Sequence, residues 1–368
     1  MASKKAVVAM SGGVDSSVSA ALLVEAGYDV TGIMLKLWRG GTENNDSGCC
    51  SVGAADDARR VADRLGIPFY VFNFADRFED TVISDFHRTY AAGRTPNPCV
   101  RCNQWIKFDL LLDRARGLGA DVLATGHYAR VEKTGDRFRL LRGADAGKDQ
   151  SYVLWMLSQE ELGSIRFPVG HLEKSETRRI AADLGLRTAT KPDSQEICFV
   201  RGGDVGAYVE EHVPSRPGEL TDVEGNRLGE HAGFGHYTIG QRKGLGISLG
   251  VPVYVTDIDA EANRVVVGSR ADLSVSGLSL EEVSFVTDVP AEGTRVHVQH
   301  RAHGDAAPAR IVSVAQGSVD LVYERDVIAV APGQSAALYA IDEPDELVGG
   351  GIIASAAASR TSSRASVA

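Results

Sequence analysis

The sequence predicts an α/β protein: a doubly wound parallel sheet, then a small β-rich central domain and a C-terminal β-barrel. Three observations carry this. Between residues 5 and 126, short apolar, β-branched runs alternate with segments whose apolar residues recur at helical spacing, as in parallel strands joined by crossover helices. The first strand-to-helix turn is rich in glycine and serine. From about Gly206 glycine becomes frequent, helical periodicity fades and short alternating runs take over, which reads as sheet that closes on itself.

Lys5-Ala6-Val7-Val8-Ala9-Met10 is the first buried strand, and Val18, Ala21 and Leu22 mark one face of the helix that Gly27 ends. Residues 30–37 form a second strand, and the polar residues between Arg39 and Ser51 a loop. Ala58, Val61, Ala62 and Leu65 line a helix closed by Gly66; 68–74 is a third strand and 76–92 a third helix. A proline-rich loop precedes a helix over 103–116, with Phe108, Leu111, Leu112 and Ala115 in register, and 121–126 is the fourth strand. Helices follow over 158–167 and 175–184, the latter closed by Gly185. Farther on, 251–255 and 264–267 alternate in the central region, and runs at 295–300, 309–314, 319–323 and 336–340 predict the barrel. The domains are thus expected at 1–205, 206–280 and 281–353, with a tail at 354–368 too poor in large apolar residues to order itself.

A chain of 368 residues exceeds one ordinary core, which also favours two or three domains. No apolar run reaches about 18 residues, and no apolar N-terminal stretch precedes a cleavage signal, so a cytoplasmic location is expected. The net charge of −10 argues against an indiscriminate polyanion binder while leaving room for a local basic face. Five cysteines, paired in sequence as Cys49/Cys50 and Cys99/Cys102 with Cys198 alone, point to thiol chemistry or metal before structural disulfides.

The loop Ala9-Met10-Ser11-Gly12-Gly13-Val14-Asp15-Ser16-Ser17 follows a strand and opens a helix. Gly12 and Gly13 remove the side chains that would keep a phosphate from the backbone, and the serines add hydroxyls beside the unpaired N–H groups of a helix N-terminus. This is an anion cradle, though without the lysine of the common P-loop. A tight turn with a serine cap would account for only two of the seven residues from Ser11 to Ser17. Met34 and Gly126 end the second and fourth strands on the same edge. Each by itself reads as a core methionine and a turn glycine.

In Thr95-Pro96-Asn97-Pro98-Cys99-Val100-Arg101-Cys102-Asn103 two prolines stiffen a loop, and Cys102 falls at the start of the expected helix. The helix dipole there favours thiolate, which makes Cys102 the nucleophile candidate. A structural zinc site needs four ligands, and no second pair follows at suitable spacing. Cys198 lies in a loop that leads into a β-like run, where a lone cysteine ordinarily reads as a small buried hydrophobe.

Taken together, SGGVDSS, TPNPxxxCN ahead of Ile106-Lys107-Phe108, ATGHYAR at 124–130, KDQSY at 148–152, Cys198-Phe199 and GQRKGLGI at 240–247 resemble the tRNA-specific 2-thiouridylases, within the PP-loop ATP pyrophosphatases. The matches run in order from about residue 5 to Ile353. The resemblance implies an enzyme, a tRNA-uridine 2-sulfurtransferase, that thiolates carbon 2 of the wobble uridine, position 34, in tRNAs for Lys, Glu and Gln. It implies that Ala9, Met10, Ser11, Gly12, Gly13, Val14, Asp15 and Ser16, with Met34 and Gly126, bind ATP, and that Asp15 is placed to hold Mg²⁺. By the same resemblance Cys198 carries sulfur as a persulfide and Cys102 is its partner nucleophile. Asn97, Pro98 and Cys99 would face the target base; His127, Lys148, Asp149 and Gln150 would contact tRNA near it, and Arg301, Ala302 and Gln334 from the barrel. A cysteine desulfurase or sulfur-relay protein is the implied donor.

The chemistry this implies begins with adenylation of the poor leaving group, the C2 oxygen. Sulfur from Cys198 then displaces AMP, directly or after release as hydrosulfide by a Cys102–Cys198 disulfide. The base must leave the anticodon stack, so a loop movement around Cys198 is expected. The chain departs from the family's pattern at Cys99, where well-known members have Asp. Cys99, Cys102 and Cys198 together resemble the three-cysteine cage of iron–sulfur tRNA thiolases, which makes a cluster the alternative sulfur carrier. A PP-loop ligase acting on a small molecule and an RNA-binding module switched by ATP are the readings from other classes. Cys49 and Cys50 have no assigned role.

Overall fold

A computed structural model describes residues 3–38, 52–193, 197–214, 216–247 and 249–359. The loop expected between Arg39 and Ser51, with Cys49 and Cys50, lies outside the described residues. The chain divides into two compact units, Met1–Ile83 with Cys99–Gly203 and Asp345–Val348, and Ser84–Pro98 with Asp204–Pro344 and Gly349–Ala368.

In the first unit, β1 (Lys5–Ala9), α1 (Val14–Glu25), β2 (Asp29–Lys36), α2 (Val52–Leu65), β3 (Phe69–Asn73) and β4 (Val122–Ala124) follow the expected alternation. The sheet has the order β3-β2-β1-β4, every neighbour parallel. Strand order therefore reverses at β1, and the crevice outside the carboxyl ends of β1 and β4 is where such sheets bind ligands. α1 is apolar or small nearly all round: Val14, Ser16, Ser17, Val18, Ser19, Ala20, Ala21 and Leu23 are buried. The small residues let it lie close on the sheet, packed with Val8, Tyr128, Val169 and Ala181.

Three features depart from the sequence reading. The helix expected over 158–167 is Gln159–Ser164, started by a Ser158/Glu161 capping box. Beyond it Ile165–Arg166 is β7, a fifth parallel strand against Leu123 and Ala124. A hairpin, β5 (Ala129–Thr134) and β6 (Arg137–Arg142), turns at Gly135, whose φ of +61° suits glycine. Third, the helix expected from residue 103 already begins at Pro98: Pro98–Arg101, a π-helical Cys102–Leu111 and Leu112–Gly117 follow without a break. Proline suits a first helical position, where its missing N–H has no partner to lose.

In the second unit, the helix Val205–His212 precedes β8 (Gly218–Asp222), β9 (Arg227–His231), β10 (Tyr254–Asp259) and β11 (Arg264–Gly268), ordered β10-β11-β8-β9. Leu220, Val255, Val265 and Val267 form their core with Tyr237 and Leu245. The barrel is β12 (Ser274–Phe285), β13 (Arg295–Gln299), β14 (Ala307–Ala315), β15 (Ser318–Ile328), β16 (Ser335–Ala340) and β17 (Glu346–Ala358), closed by pairing of β17 with β12. β17 continues past residue 354, where composition predicts the tail. Antiparallel bonding of Ser355–Ala358 to Val275–Ser279 supplies the order that apolar content does not.

Candidate active site

The turn from β1 to α1 is shaped by close backbone approaches. Gly12 has φ +72°, and a Cβ there would lie 2.2 Å from the Ala54 carbonyl oxygen, so only glycine fits. Gly13 caps α1 without a side-chain hydrogen bond, which leaves the first-turn N–H groups facing outward. The Ser16 hydroxyl accepts from Ser11 N at 3.2 Å and closes the loop; Ser17, expected to face a phosphate, is buried and donates to Gly13 O at 2.8 Å. Gly126, just after β4, lies against the same turn: a Cβ there would be 2.8 Å from Ser16 N and 2.9 Å from Asp15 Cβ. Met10 and Met34 are buried, each 2% exposed. The cradle thus has the glycines and outward N–H groups that a polyphosphate requires.

Although the loop has no lysine of its own, distant segments bring cations to it. Lys174, on the helix Lys174–Asp183, contacts both oxygens of Asp15 at 2.7 and 2.8 Å. The Tyr128 hydroxyl donates to Asp15 Oδ1 at 2.9 Å and sits 3.0 Å from Thr177 Oγ1. Burial first of all pushes that phenol far up, so it serves as a hydrogen-bond donor. Lys191 Nζ donates to Gly12 O at 3.0 Å and to Asp57 at 2.9 Å. Asp193 binds Lys174 and Arg178 at 2.9 Å each through Oδ1, and Lys148 at 2.8 Å through Oδ2. Burial would raise the Asp193 carboxyl, but hydrogen bonds from Lys148 and Lys174 outweigh it and hold the group at about 2. The sequence reading named none of Asp57, Tyr128, Lys174, Thr177, Arg178, Lys191 and Asp193 as site residues. The signal was the missing lysine itself, because a phosphate cradle without one needs a cation from elsewhere.

The KDQ block supports this network. Lys148 belongs to it directly. Asp149 accepts from Gly143 N, Ser151 N, the Ser151 hydroxyl and Arg142, and so joins two loops. Gln150 holds the Tyr128 backbone on both sides, accepting from Tyr128 N at 3.0 Å and donating from its own N–H to Tyr128 O at 2.8 Å. His127 is 8% exposed, hydrogen-bonded to Thr125 at 2.7 Å and set between Phe108 and Phe167. Burial, then the nearby Lys107 charge, keeps its imidazole neutral.

The thiols do not sit as the sequence suggested. Because helicity begins at Pro98, the first turn belongs to Cys99, which is exposed, while Cys102 is buried at the start of the π-helical segment. The dipole argument made for Cys102 applies instead to Cys99. Next to Cys102, Asn103 donates to Val153 O at 2.9 Å and accepts from Lys107 at 2.8 Å. Cys198 is exposed on a turn rather than ahead of a strand, and Phe199, which follows it, is 3% exposed and packs edge-on against Phe78. Among the described residues no three His, Cys, Asp or Glu side chains gather as a metal-holding group. The cage of Cys99, Cys102 and Cys198, the alternative sulfur carrier, is not assembled among them.

The remaining candidates lie in or border the second unit. Gln334 Nε2 donates to the carbonyls of Thr95 and Pro96 at 3.1 and 3.0 Å, and Thr95 N donates to Pro332 O at 2.8 Å. These bonds fix the stretch ahead of Asn97 and Pro98. Arg301 and Ala302 are exposed; the Arg301 side chain reaches Ala329 O at 2.7 Å, and both backbone carbonyls accept from Gln299.

Among the described residues no helix is long and apolar enough to cross a membrane. The sequence matches three family signatures in order: "tRNA methyl transferase HUP domain" over residues 4–202, "tRNA methyl transferase PRC-barrel domain" over 206–269 and "Aminomethyltransferase beta-barrel domain" over 275–353. It is 46% identical to a tRNA-specific 2-thiouridylase MnmA of Clostridium beijerinckii, covering 96% of this chain and 99% of that protein. It is 47% identical to the protein of that name from a Roseiflexus species, covering 95% and 99%. A solved complex of a 4-thiouridine synthetase with RNA and bound ATP is 17% identical with a TM-score of 0.34, covering 57% of this chain and 50% of that one.

Proposed function

Because the chain belongs to the tRNA-specific 2-thiouridylase family, we propose that it replaces the C2 oxygen of the wobble uridine, position 34, in tRNAs for Lys, Glu and Gln with sulfur at the expense of ATP. The observation that carries the ATP reading is the phosphate cradle at the sheet's switch point, with Lys174 and Lys191 brought to it from later in the chain. Two of the matched signatures are described as methyl transferase domains. Methyl transfer needs no triphosphate cradle, whereas thiolation through adenylation uses one.

The loop Ala9–Ser16, with Gly126 against it and Met34 nearby, holds the nucleotide; Lys174 and Lys191 balance the phosphate charge. Mg²⁺ would add charge neutralisation at the departing pyrophosphate, and Asp15, whose carboxylate also meets Lys174 and Tyr128, would hold it. The uridine C2 oxygen attacks the α-phosphorus, pyrophosphate leaves, and C2 becomes an electrophile with AMP as leaving group. The terminal sulfur of a Cys198 persulfide adds to C2 and AMP departs. Cys102 thiolate then attacks the Cys198 sulfur, which forms a Cys102–Cys198 disulfide and frees the thiouridine; an external thiol must reduce the disulfide before the next cycle. Alternatively, Cys102 forms the disulfide first and hydrosulfide attacks C2. Asn97, Pro98 and Cys99 are read as the base contact, with Gln334 positioning that stretch. Lys148, Arg301 and Ala302 are read as tRNA contacts. Gln150, exposed beside Tyr128, is read as a tRNA contact with them, and Asp149 and His127 complete that set near the site. A cysteine desulfurase or relay protein in the cytoplasm supplies the sulfur.

The test is mass spectrometry of tRNA after incubation with the protein, ATP, Mg²⁺ and a persulfide donor, repeated with each component left out. Sulfur at the wobble uridine only in the complete mixture, with one AMP and one pyrophosphate per thiouridine, is the expected result. Absence of sulfur from that base in the complete mixture overturns the reading.

A further inference from the structure

The GQRKGLGI stretch at 240–247 has no part in the reaction as proposed. It belongs to the second unit, where it forms a loop beside β10. Gly240 N donates to Val255 O at 2.8 Å, and Val255 N donates to Gln241 O at 2.9 Å. The Gln241 side chain braces the loop from both sides: Oε1 accepts from Thr238 N at 3.0 Å, and Nε2 donates to Lys243 O at 3.1 Å. Leu245, 5% exposed, joins the core of Leu220, Val255 and Val265, and Ile247 packs against that core.

This bracing presents Arg242 and Lys243, both exposed, to solvent. Among the described residues neither side chain has an ion pair or a hydrogen bond. Other cations of the central sheet are neutralised within it, Arg227 by Glu219 and Glu230 and Arg264 by Asp259. A chain of net charge −10 repels a polyanion at long range, so binding one requires cations left without internal partners. Arg242 and Lys243 meet that requirement, and a backbone fixed before contact lowers the ordering cost of binding.

The loop also meets the barrel within the same unit. A Cβ on Gly240, whose φ is +87°, would lie 2.8 Å from Ala329 Cβ and 3.5 Å from Arg301 Nη2. Only glycine lets the loop start this close to Arg301, which is itself tied to Ala329 O at 2.7 Å and is read as a tRNA contact. Of the two polyanions in the proposed reaction, ATP is assigned to the first unit, which leaves tRNA for this surface. The fitting part of tRNA is its backbone, because 240–247 contains no aromatic side chain on which a base could stack.

We propose that the loop 240–247 is a backbone-binding element for tRNA, in which Arg242 and Lys243 each neutralise a phosphate beside the contact made by Arg301. The proposal rests on the chain acting on tRNA. Phosphate contacts fix register and carry no base information, so the loop strengthens binding of every substrate tRNA alike and leaves the choice of base to other residues.

Binding of unmodified tRNA to the full chain, followed by fluorescence anisotropy over a salt series, tests it. Each phosphate neutralised on a helical stem adds about 0.9 to the slope of log K against log salt, which at ~0.15 M salt is a factor of about 5. The double variant Arg242→Gln, Lys243→Gln should therefore raise Kd roughly 30-fold and reduce the slope by about 2, equally for the tRNAs for Lys, Glu and Gln. Its thermal midpoint should match wild type, since neither side chain has a partner among the described residues. The double variant Arg242→Lys, Lys243→Arg keeps both charges and should restore the slope, with Kd within about threefold of wild type. A double glutamine variant whose Kd stays within about twofold and whose slope is unchanged overturns the proposal, and is the result if the loop meets the sulfur-donor protein instead. Equal losses in the charge-keeping variant overturn it as well. Absence of tRNA binding by the wild-type protein removes the tRNA reading along with the loop's role, whereas wild-type binding that the glutamine variant retains removes the loop's role alone.

Discussion

Replacing Lys174 by methionine removes a cation that reaches Asp15 at 2.7 and 2.8 Å and Asp193 at 2.9 Å. The Lys174 side chain is only 11% exposed, while Asp15 and Asp193 are 30% and 22% exposed. Hydrogen bonds to charged groups contribute about 1.5–3 kcal/mol each. Asp15 keeps Tyr128, Asp193 keeps Lys148 and Arg178, and water reaches both carboxylates, so a net loss of roughly 2–3 kcal/mol of stability at neutral pH is expected. That lowers the thermal midpoint of the first unit by roughly 5–10 °C. The effect on reaction is separate, because the phosphate charge loses a preorganised donor: pyrophosphate release at saturating ATP should fall about 100-fold, or about 2.7 kcal/mol. The assays are differential scanning calorimetry and coupled pyrophosphate detection in the presence of tRNA. A Lys174→Met protein that releases pyrophosphate within about twofold of wild type would refute the assignment of Lys174 to the phosphates, whatever its stability.

Other expectations follow from the same geometry. Asp193 is held at about 2 against an ordinary 3.8; since its folded value is depressed, it stabilises the fold above about pH 4 and loses that contribution as pH falls through about 2, some 2 kcal/mol in all. Asp193→Asn should therefore flatten the acid limb of stability between those pH values in chemical denaturation, and an unchanged limb would count against the ion-pair network. Gly12→Ala should abolish nucleotide binding in equilibrium dialysis and destabilise by at least about 1–3 kcal/mol, because a side chain must adopt positive φ with its Cβ on the Ala54 carbonyl. Cys102→Ser and Cys198→Ser should each remove sulfur from the tRNA, read by mass spectrometry, while leaving nucleotide binding within about twofold; retained thiolation in either variant would exclude that cysteine from the sulfur route. Gln334→Leu frees two carbonyls ahead of Asn97 and should lower thiolation about tenfold with pyrophosphate release per tRNA bound unchanged, which steady-state kinetics over a tRNA titration resolves.

Much of this protein is local information. Strand and helix periodicity, the Gly12-Gly13 turn and the change of pattern near residue 206 are each carried by a few neighbouring residues, so α/β fold class, barrel and phosphate cradle follow from short stretches. Where local signals conflict, boundaries shift: Pro98 starts a helix that its proline-rich surroundings disguise, and Ile165 leaves one because β4 offers it a partner. Lys174, Lys191 and Asp193 could not be placed in this way. Each is an ordinary surface residue type, more than 150 positions from the loop it serves, and an ion pair between such residues leaves no trace in spacing or periodicity. Tertiary structure likewise decided that Cys99, not Cys102, occupies the first helical turn, and that His127 is shut between two phenylalanines. The sequence by itself determined the glycine-rich cradle after the first strand and the set of thiols at 99, 102 and 198. Only the folded chain decided which charges gather at the cradle, because Coulomb energy depends on distance in space and is indifferent to distance along the chain.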